Sequence, residues 1–301
     1  MKFDISIIIP SGRPDRVGET IQALEQQTLS GLEYDIHVVT PFADRLERKY
    51  TAVHVDRTDL LYPPGGMRNI GAAASSGDIL AFIDDDCVPP QNWLSETMKS
   101  LSLEKRVGAV GCRVVSGDNN FWSRCADYCL FSDYQGFHDR QGALGSAAVL
   151  VYRQAFDEAG GFDEALLASE DWDFSLRLQE NGWKCRFVSS VEVQHNHGRG
   201  SFIGILRNSY RSGLRSGLVV QERYGNSISW LAKLSISFKS AWLYWMLILP
   251  YASAVSLLQA IASIKRDANV LWYFPVMFVS RVVYHFGVWK RLITDSRETK
   301  N

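Results

Sequence analysis

Five cysteines in 301 residues, with no CxxC pair among them, are too few and too irregular for a disulfide framework or a zinc-binding knuckle. Their odd number fits a reducing compartment. Charge bias is missing as well: the net charge of -1 gives no general attraction to nucleic acid. There is no internal repeat, no low-complexity linker and no GxxxxGK[ST] phosphate loop, which excludes a repeat scaffold and a P-loop NTPase. The opening apolar run, Ile5 to Ile9, is too short for the core of a signal peptide, so the chain is expected to start in the cytoplasm.

What the chain does have is Ile79-Leu80-Ala81-Phe82-Ile83 running straight into Asp84-Asp85-Asp86. Three adjacent carboxylates repel one another unless solvent, hydrogen-bond donors or a cation offsets the repulsion. A divalent ion does this well, and hard oxygen ligands favour Mg²⁺ or Mn²⁺, which keep part of their shell for substrate phosphates. Alternation along a strand end would let Asp84 and Asp86 converge while Asp85 points elsewhere. The competing structural explanation is a solvated acidic turn capping the next helix.

Around this feature the first half alternates short apolar runs with helical patterns, the signature of βαβ units and an α/β sheet. Strands are expected at Ile5 to Ile9, Ile36 to Thr40, Ile79 to Ile83, Val107 to Val114, Ala147 to Tyr152 and Phe187 to His195. Helices are expected at Asp15 to Thr28, Met67 to Ser75, Arg153 to Ala159 and Ser169 to Asn181. In the last of these, Ser169 reads as an N-cap, and acids in a first turn suit the helix dipole, so Glu170 and Asp171 have a structural explanation. Asp173 and Arg177, four apart, read as a surface pair. His195 and His197 stand at a strand end before Gly198-Arg199-Gly200. Beside two acidic clusters, one of them reads as a ligand.

These segments together resemble an inverting family 2 glycosyltransferase of the GT-A fold. The likeness is carried by Ile7-Ile8-Ile9-Pro10, Arg68-Asn69-Ile70-Gly71 through Ser76-Gly77-Asp78, and the aspartate triplet followed by Pro89 and Trp93-Leu94. Gly161-Phe162-Asp163-Glu164, Glu170-Asp171-Trp172-Asp173 and His195 complete it, so that it covers roughly residues 4 to 200. The resemblance implies a mixed sheet flanked by helices, with Mn²⁺ or Mg²⁺ held on a sugar-nucleotide diphosphate by Asp84 and Asp86, and by His195 or His197. It implies catalysis by the Glu170-Asp171 pair, with Asp171 as general base, and a donor site drawn from Pro10, Arg13, Thr40, Arg68, Asn69, Asp84 and Asp85. The implied activity is transfer of a hexose from a nucleoside-diphosphate sugar to a glycan or lipid-linked acceptor, as in cell-envelope polysaccharide synthesis. One position departs from the family: its second strand usually ends in an aspartate that contacts the base, whereas this one ends in Thr40 with Asp44 as the nearest acid. Aromatic residues between Ser116 and Gly142 (Trp122, Tyr128, Tyr134, Phe137) fall where such enzymes bind acceptors, where they would serve as stacking faces or as a lid. The rival classes are a sugar nucleotidyltransferase, whose glycine-rich loop and phosphate-binding lysine are missing from Ser11 to Asp15, and a non-catalytic scaffold of the same fold, which would have no need of the carboxylates.

Beyond residue 200 the texture changes, giving an expected catalytic domain at 1–205 and a helical region at 206–301. Arg207, Arg211, Arg215 and Arg223 fall on one helical face. Ser240 to Ile264 holds no charged residue and is long enough to span a bilayer, despite Pro250. Val270 to Trp289 contains Arg281 and His285 and reads as an amphipathic helix in the headgroup layer, with Lys290 and Arg291 at its end. Lys265 and Arg266 between the two segments disfavour a spanning hairpin under the positive-inside tendency. Membrane association at the cytoplasmic face of the inner membrane is therefore expected.

Overall fold

The computed structural model describes residues 4–13, 15–47, 50, 53–58, 62–136, 138–216, 241–265 and 267–298. Pro14, Phe137, Arg223, Ser240 and Arg266 lie outside the described residues. The chain divides into two compact units, one of residues 1–117 and 133–197, the other of residues 118–132 and 198–301.

The first unit is a single mixed sheet. Its strands are β1 (Ile5–Pro10), β2 (Tyr34–Thr40), β3 (His54–Arg57), β4 (Ile79–Ile83), β5 (Cys87–Val88), β6 (Val107–Ser116), β7 (Arg140–Gln141), β8 (Ala148–Tyr152) and β9 (Lys184–His195). They lie in the order β3-β2-β1-β4-β8-β6-β9-β5, with β7 also paired to β9. Strands β1 to β4 are mutually parallel, β8 runs against them, and β6 and β9 resume the first direction. The carboxyl ends of β1, β2, β4, β6 and β9 therefore share one edge. The order reverses between β1 and β4, which is where ligands sit in open α/β sheets.

β4 is a continuous apolar run and β1 is broken only by Ser6, because every residue in them is buried, with side chains packed on both faces of the sheet. Helix α1 (Val17–Leu24) buries Val17, Thr20, Ile21 and Leu24, one stripe at helical spacing. Helix α3 (Pro64–Ala74) starts on a proline at its first position and lies against the opposite face. Gly71 permits that approach, since a Cβ there would lie 2.5 Å from Ile8 Cγ2 and 2.9 Å from Val39 Cγ2. Short helices α2 (Ala43–Glu47) and α4 (Trp93–Met98) complete the connections of this half, and α6 (Arg153–Glu158) and α7 (Glu170–Glu180) follow β8. All five cysteines are free thiols.

The second unit is helical: α5 (Phe121–Leu130), α8 (Phe202–Ser216), α9 (Ala241–Ser263) and α10 (Val270–Glu298). The expected boundary at 205/206 falls inside α8, whereas the unit takes in everything from Gly198 and adds α5. The reason is packing: Cys125, Ala126 and Tyr128 of α5 share a core with Ile205, Tyr273 and Met277. Tyr128 is thus a core residue, with its hydroxyl donating to Asp267 at 2.9 Å, and offers no open stacking face. Helices α8 and α10 cross at glycines, a Cβ on Gly287 falling 2.5 Å from the Tyr210 carbonyl oxygen.

Arg207, Arg211 and Arg215 are exposed, opposite the buried Ile205, Ser209 and Gly213, as the spacing expects. Along α9, Tyr244–Ser263 is long and apolar enough to cross a membrane, and only 28% of that stretch is buried, unlike a soluble core helix. Within α10 the two polar residues of the apolar stretch contact α9. Arg281 donates to Gln259 of α9 at 2.7 Å, and His285 is buried 2.6 Å from the Tyr244 hydroxyl, so both serve helix packing.

Candidate active site

The aspartate triplet leaves the strand before alternation can apply. β4 ends at Ile83, and Asp84 to Asp86 form a turn closed by the Cys87 amide donating to the Asp84 carbonyl at 3.1 Å. The expected pairing of Asp84 with Asp86 is corrected accordingly. Asp85 and Asp86 share one guanidinium, Arg13 Nη2 standing 2.6 Å from Asp85 Oδ1 and 2.8 Å from Asp86 Oδ2. Asp84 turns to Arg68 Nη2 at 2.7 Å.

Asp85 also accepts from the Ser11 hydroxyl at 3.0 Å. Burial nevertheless raises its carboxyl above the ordinary range, outweighing Arg13. Asp86 goes the other way: burial opposes ionisation, but the bond and charge of His195, with Arg13, hold it well below the usual carboxylate range. His195 Nε2 lies 3.1 Å from Asp86 Oδ1, and the His197 ring stands edge-on, 5.3 Å from that of His195. Both histidines are buried. The antiparallel pairing of β5 with β9 sets Cys87 opposite His195, which brings the acidic turn to the end of β9.

One ligand atom each from Asp86, Cys87 and His195 would reach a common ion. Burial, then Asp84 and Asp86, push the Cys87 thiol well above its ordinary value, which disfavours the thiolate and leaves Asp86 and His195 as the better donors. What remains is carboxylate oxygen and imidazole nitrogen, a set that suits Mn²⁺ or Mg²⁺ with water and phosphate completing the shell.

Arg68, 2% exposed, joins the turn to the second acidic cluster: Nη1 donates to Glu170 Oε1 at 2.9 Å while Nη2 holds Asp84. Beside Glu170, Asp171 accepts from the amides of Trp172 at 2.8 Å and Ser146 at 3.4 Å. Burial, with the neighbouring Glu170 charge, lifts the Asp171 carboxyl to about 7, Arg68 restraining the rise. Tyr134, whose hydroxyl accepts from the Ala147 amide at 3.0 Å, is raised well above its ordinary value by burial and then by Asp171 and Asp84.

Several expected residues have other work. Ser169 makes no side-chain cap; its φ of 61° is left-handed, a conformation uncommon for serine, and it sits directly before the acidic pair. Asp173 is fully buried rather than on the surface, paired with Arg177 at 2.7 Å. Asn69 commits its amide to the Phe162 backbone, at 2.9 Å from both its nitrogen and its carbonyl, and to Glu164. Thr40, buried at the end of β2, accepts from the Phe42 amide at 3.1 Å. Pro10 ends β1 one residue before Ser11. Ser11, Arg16 and Ser146 are site residues that the sequence reading does not single out, and Tyr134 enters it only as an aromatic face for an acceptor. Arg16, 3.7 Å from Asp86, was findable as a second cation just past the end of β1.

Two family models match the chain, "Glycosyl transferase family group 2" over residues 79–286 and "Glycosyl transferase family 2" over residues 6–150. A pre-mycofactocin glycosyltransferase of Mycobacterium tuberculosis is 29% identical over 184 residues, 57% of this chain and 39% of that protein. The glycosyltransferase AglE of Haloferax volcanii is 24% identical over 198 residues, 62% and 65% of the two chains. The chain thus spans less than two thirds of either relative. Among solved structures, the mannosyltransferase PcManGT from Pyrobaculum calidifontis, in complex with GDP-Man and Mn²⁺, superposes with a TM-score of 0.63 at 14% identity, covering 98% of this chain and 88% of that one. The match across residues 79–286, on a mixed sheet with its acidic turn at the strand-order reversal, establishes that this chain belongs to glycosyl transferase family group 2 and has the GT-A fold.

Proposed function

We propose that this protein transfers a sugar, with inversion, from a nucleoside-diphosphate sugar to a hydroxyl of a glycan or lipid-linked acceptor. The observation that carries the reading is the guanidinium of Arg68, held between Asp84 of the acidic turn and Glu170 beside Asp171. It links a phosphate-side cluster to a carboxylate that titrates near neutrality, the two halves that a single displacement at a sugar C1 requires.

Asp86 and His195 would hold Mn²⁺ or Mg²⁺; when bound, such an ion neutralises charge gathering on the departing diphosphate. Arg13, about half of whose side chain is exposed at 49%, is free to follow the phosphates away from Asp85 and Asp86. Asp171 takes the proton of the acceptor hydroxyl as that oxygen attacks opposite the leaving group, and a carboxyl near 7 is matched to this task. Glu170, fixed by Arg68, keeps Asp171 basic by its adjacent charge. The donor and ion in the structural neighbour, GDP-Man and Mn²⁺, support the same classes here.

The exposed arginines of α8 and the exposed Trp245, Met246, Leu249, Leu258 and Ile261 of α9 support association with the cytoplasmic face of the inner membrane. A lipid-linked acceptor suits such a location. A thermal-shift screen against UDP, GDP and dTDP and their sugars, with Mn²⁺, Mg²⁺ or EDTA, tests the donor half. Metal-dependent stabilisation by one nucleotide is expected; folded protein indifferent to all of them would overturn the reading.

A further inference from the structure

We propose that Asp35, His37 and His54 form a second metal site, for a divalent transition ion of the zinc type, at the β2–β3 edge of the sheet. It is independent of the acidic turn. Strands β2 and β3 are parallel, and their register sets His37 directly beside His54, so the two imidazoles lie on one face. Asp35, two residues earlier on β2, shares that face. One ligand atom from each of the three lies within 4.8 Å of the other two. Asp35 Oδ2 is 3.0 Å from His37 Nε2, while Asp35 Oδ1 is buried with no partner at hydrogen-bond distance among the described residues.

Two further features favour an ion. The other ring nitrogen of His37, Nδ1, lies 2.9 Å from Asp56 Oδ2, the carboxylate partner that fixes ring orientation in many metal-bound histidines. Exposure is graded as a binding site needs, with His37 at 4% and Asp35 at 9% on the inner side and His54 exposed on the outer. Two imidazoles and one carboxylate select Zn²⁺ over Mg²⁺ or Ca²⁺, and leave a fourth position for water. The rings are stacked at 4.7 Å with an interplanar angle of 18°, so the exposed His54 must turn to bring a nitrogen to the ion. The ion replaces the proton through which His37 Nε2 bonds Asp35, and that proton goes to solvent. The result is a link that pins β3, a four-residue edge strand, to β2.

The test is Co²⁺ titration of the full chain followed by visible absorption, with Zn²⁺ thermal shifts alongside, in the wild type, in Asp86→Ala, and in Asp86→Ala carrying His54→Ala or Asp56→Asn. Because His54 is exposed, its substitution leaves the fold intact. The wild type and Asp86→Ala should show tetrahedral-type cobalt bands and a Zn²⁺-dependent rise in melting temperature. Added to Asp86→Ala, so that the acidic turn holds no ion, His54→Ala should lose both, and Asp56→Asn should bind about 10–100-fold more weakly. Equal binding by Asp86→Ala with and without His54→Ala, or absence of binding in Asp86→Ala, would overturn the proposal.

Discussion

Asp86 Oδ1 and His195 Nε2 meet at 3.1 Å, joining the turn after β4 to the last residue of β9. The bond depends on β5, two residues long, which pairs antiparallel with β9, and on the Asn196 amide donating to the Asp86 carbonyl at 2.7 Å. Local sequence after an apolar strand thus positions a carboxylate against a histidine from the far end of the unit.

Asp171 makes stability depend on pH in a definite direction. Its carboxyl binds a proton more readily in the fold, at about 7, than in the unfolded chain, near 3.8. The stabilisation is fully present below about 4 and is lost as pH rises through about 7. Asp171→Asn, neutral throughout, should melt higher than the wild type at pH 8 and alike at pH 4. Parallel melting curves across that range would remove the raised carboxyl.

Arg13 supplies the positive charge for Asp85 and Asp86. Arg13→Met should lower the melting temperature in EDTA and show a larger gain on adding Mn²⁺ than the wild type, since no guanidinium competes with the ion. An equal gain in both proteins would mean that the ion does not bind at these carboxylates.

Arg68 is buried between two acids, and breaking such a pair from one side costs about 3–5 kcal/mol. Arg68→Met should lose stability on that scale in denaturant melts, and the loss should shrink as pH falls and the stranded carboxylates protonate. The Arg68 guanidinium also lies over the Phe162 ring, 5.4 Å from its centroid, and a loss that does not change with pH would point to that packing alone.

The exposed apolar side of α9 should govern membrane binding. Trp245→Glu with Leu249→Glu should reduce cosedimentation with anionic vesicles, while the wild type pellets and is partly released by salt. Unchanged pelleting of the double variant would place the contact elsewhere.

The strands of the sheet core were legible because burial on both faces demands largely apolar runs, and Ile79 to Ile83 was read to the residue. Short polar elements were not: β3 (His-Val-Asp-Arg) has no apolar pattern, since two of its side chains pair with or stack on His37. At the site, residue types and strand ends could be read, but not partners. Nothing local in the sequence says that Arg68 faces Asp84 and Glu170, or that Asp173 is buried, because both depend on how α3 and α7 pack. Aromatics misled for the same reason, Tyr128 being core in a helix whose partners come from far along the chain.

The most direct measurement is release of nucleoside diphosphate from the preferred sugar nucleotide, with Mn²⁺, by the wild type and by Asp171→Asn, alongside calorimetric donor binding to each. A rate lower by about 10²–10⁴-fold with nearly unchanged binding is expected of a lost general base. Turnover by Asp171→Asn at the wild-type rate would contradict that role and the division of labour built on it.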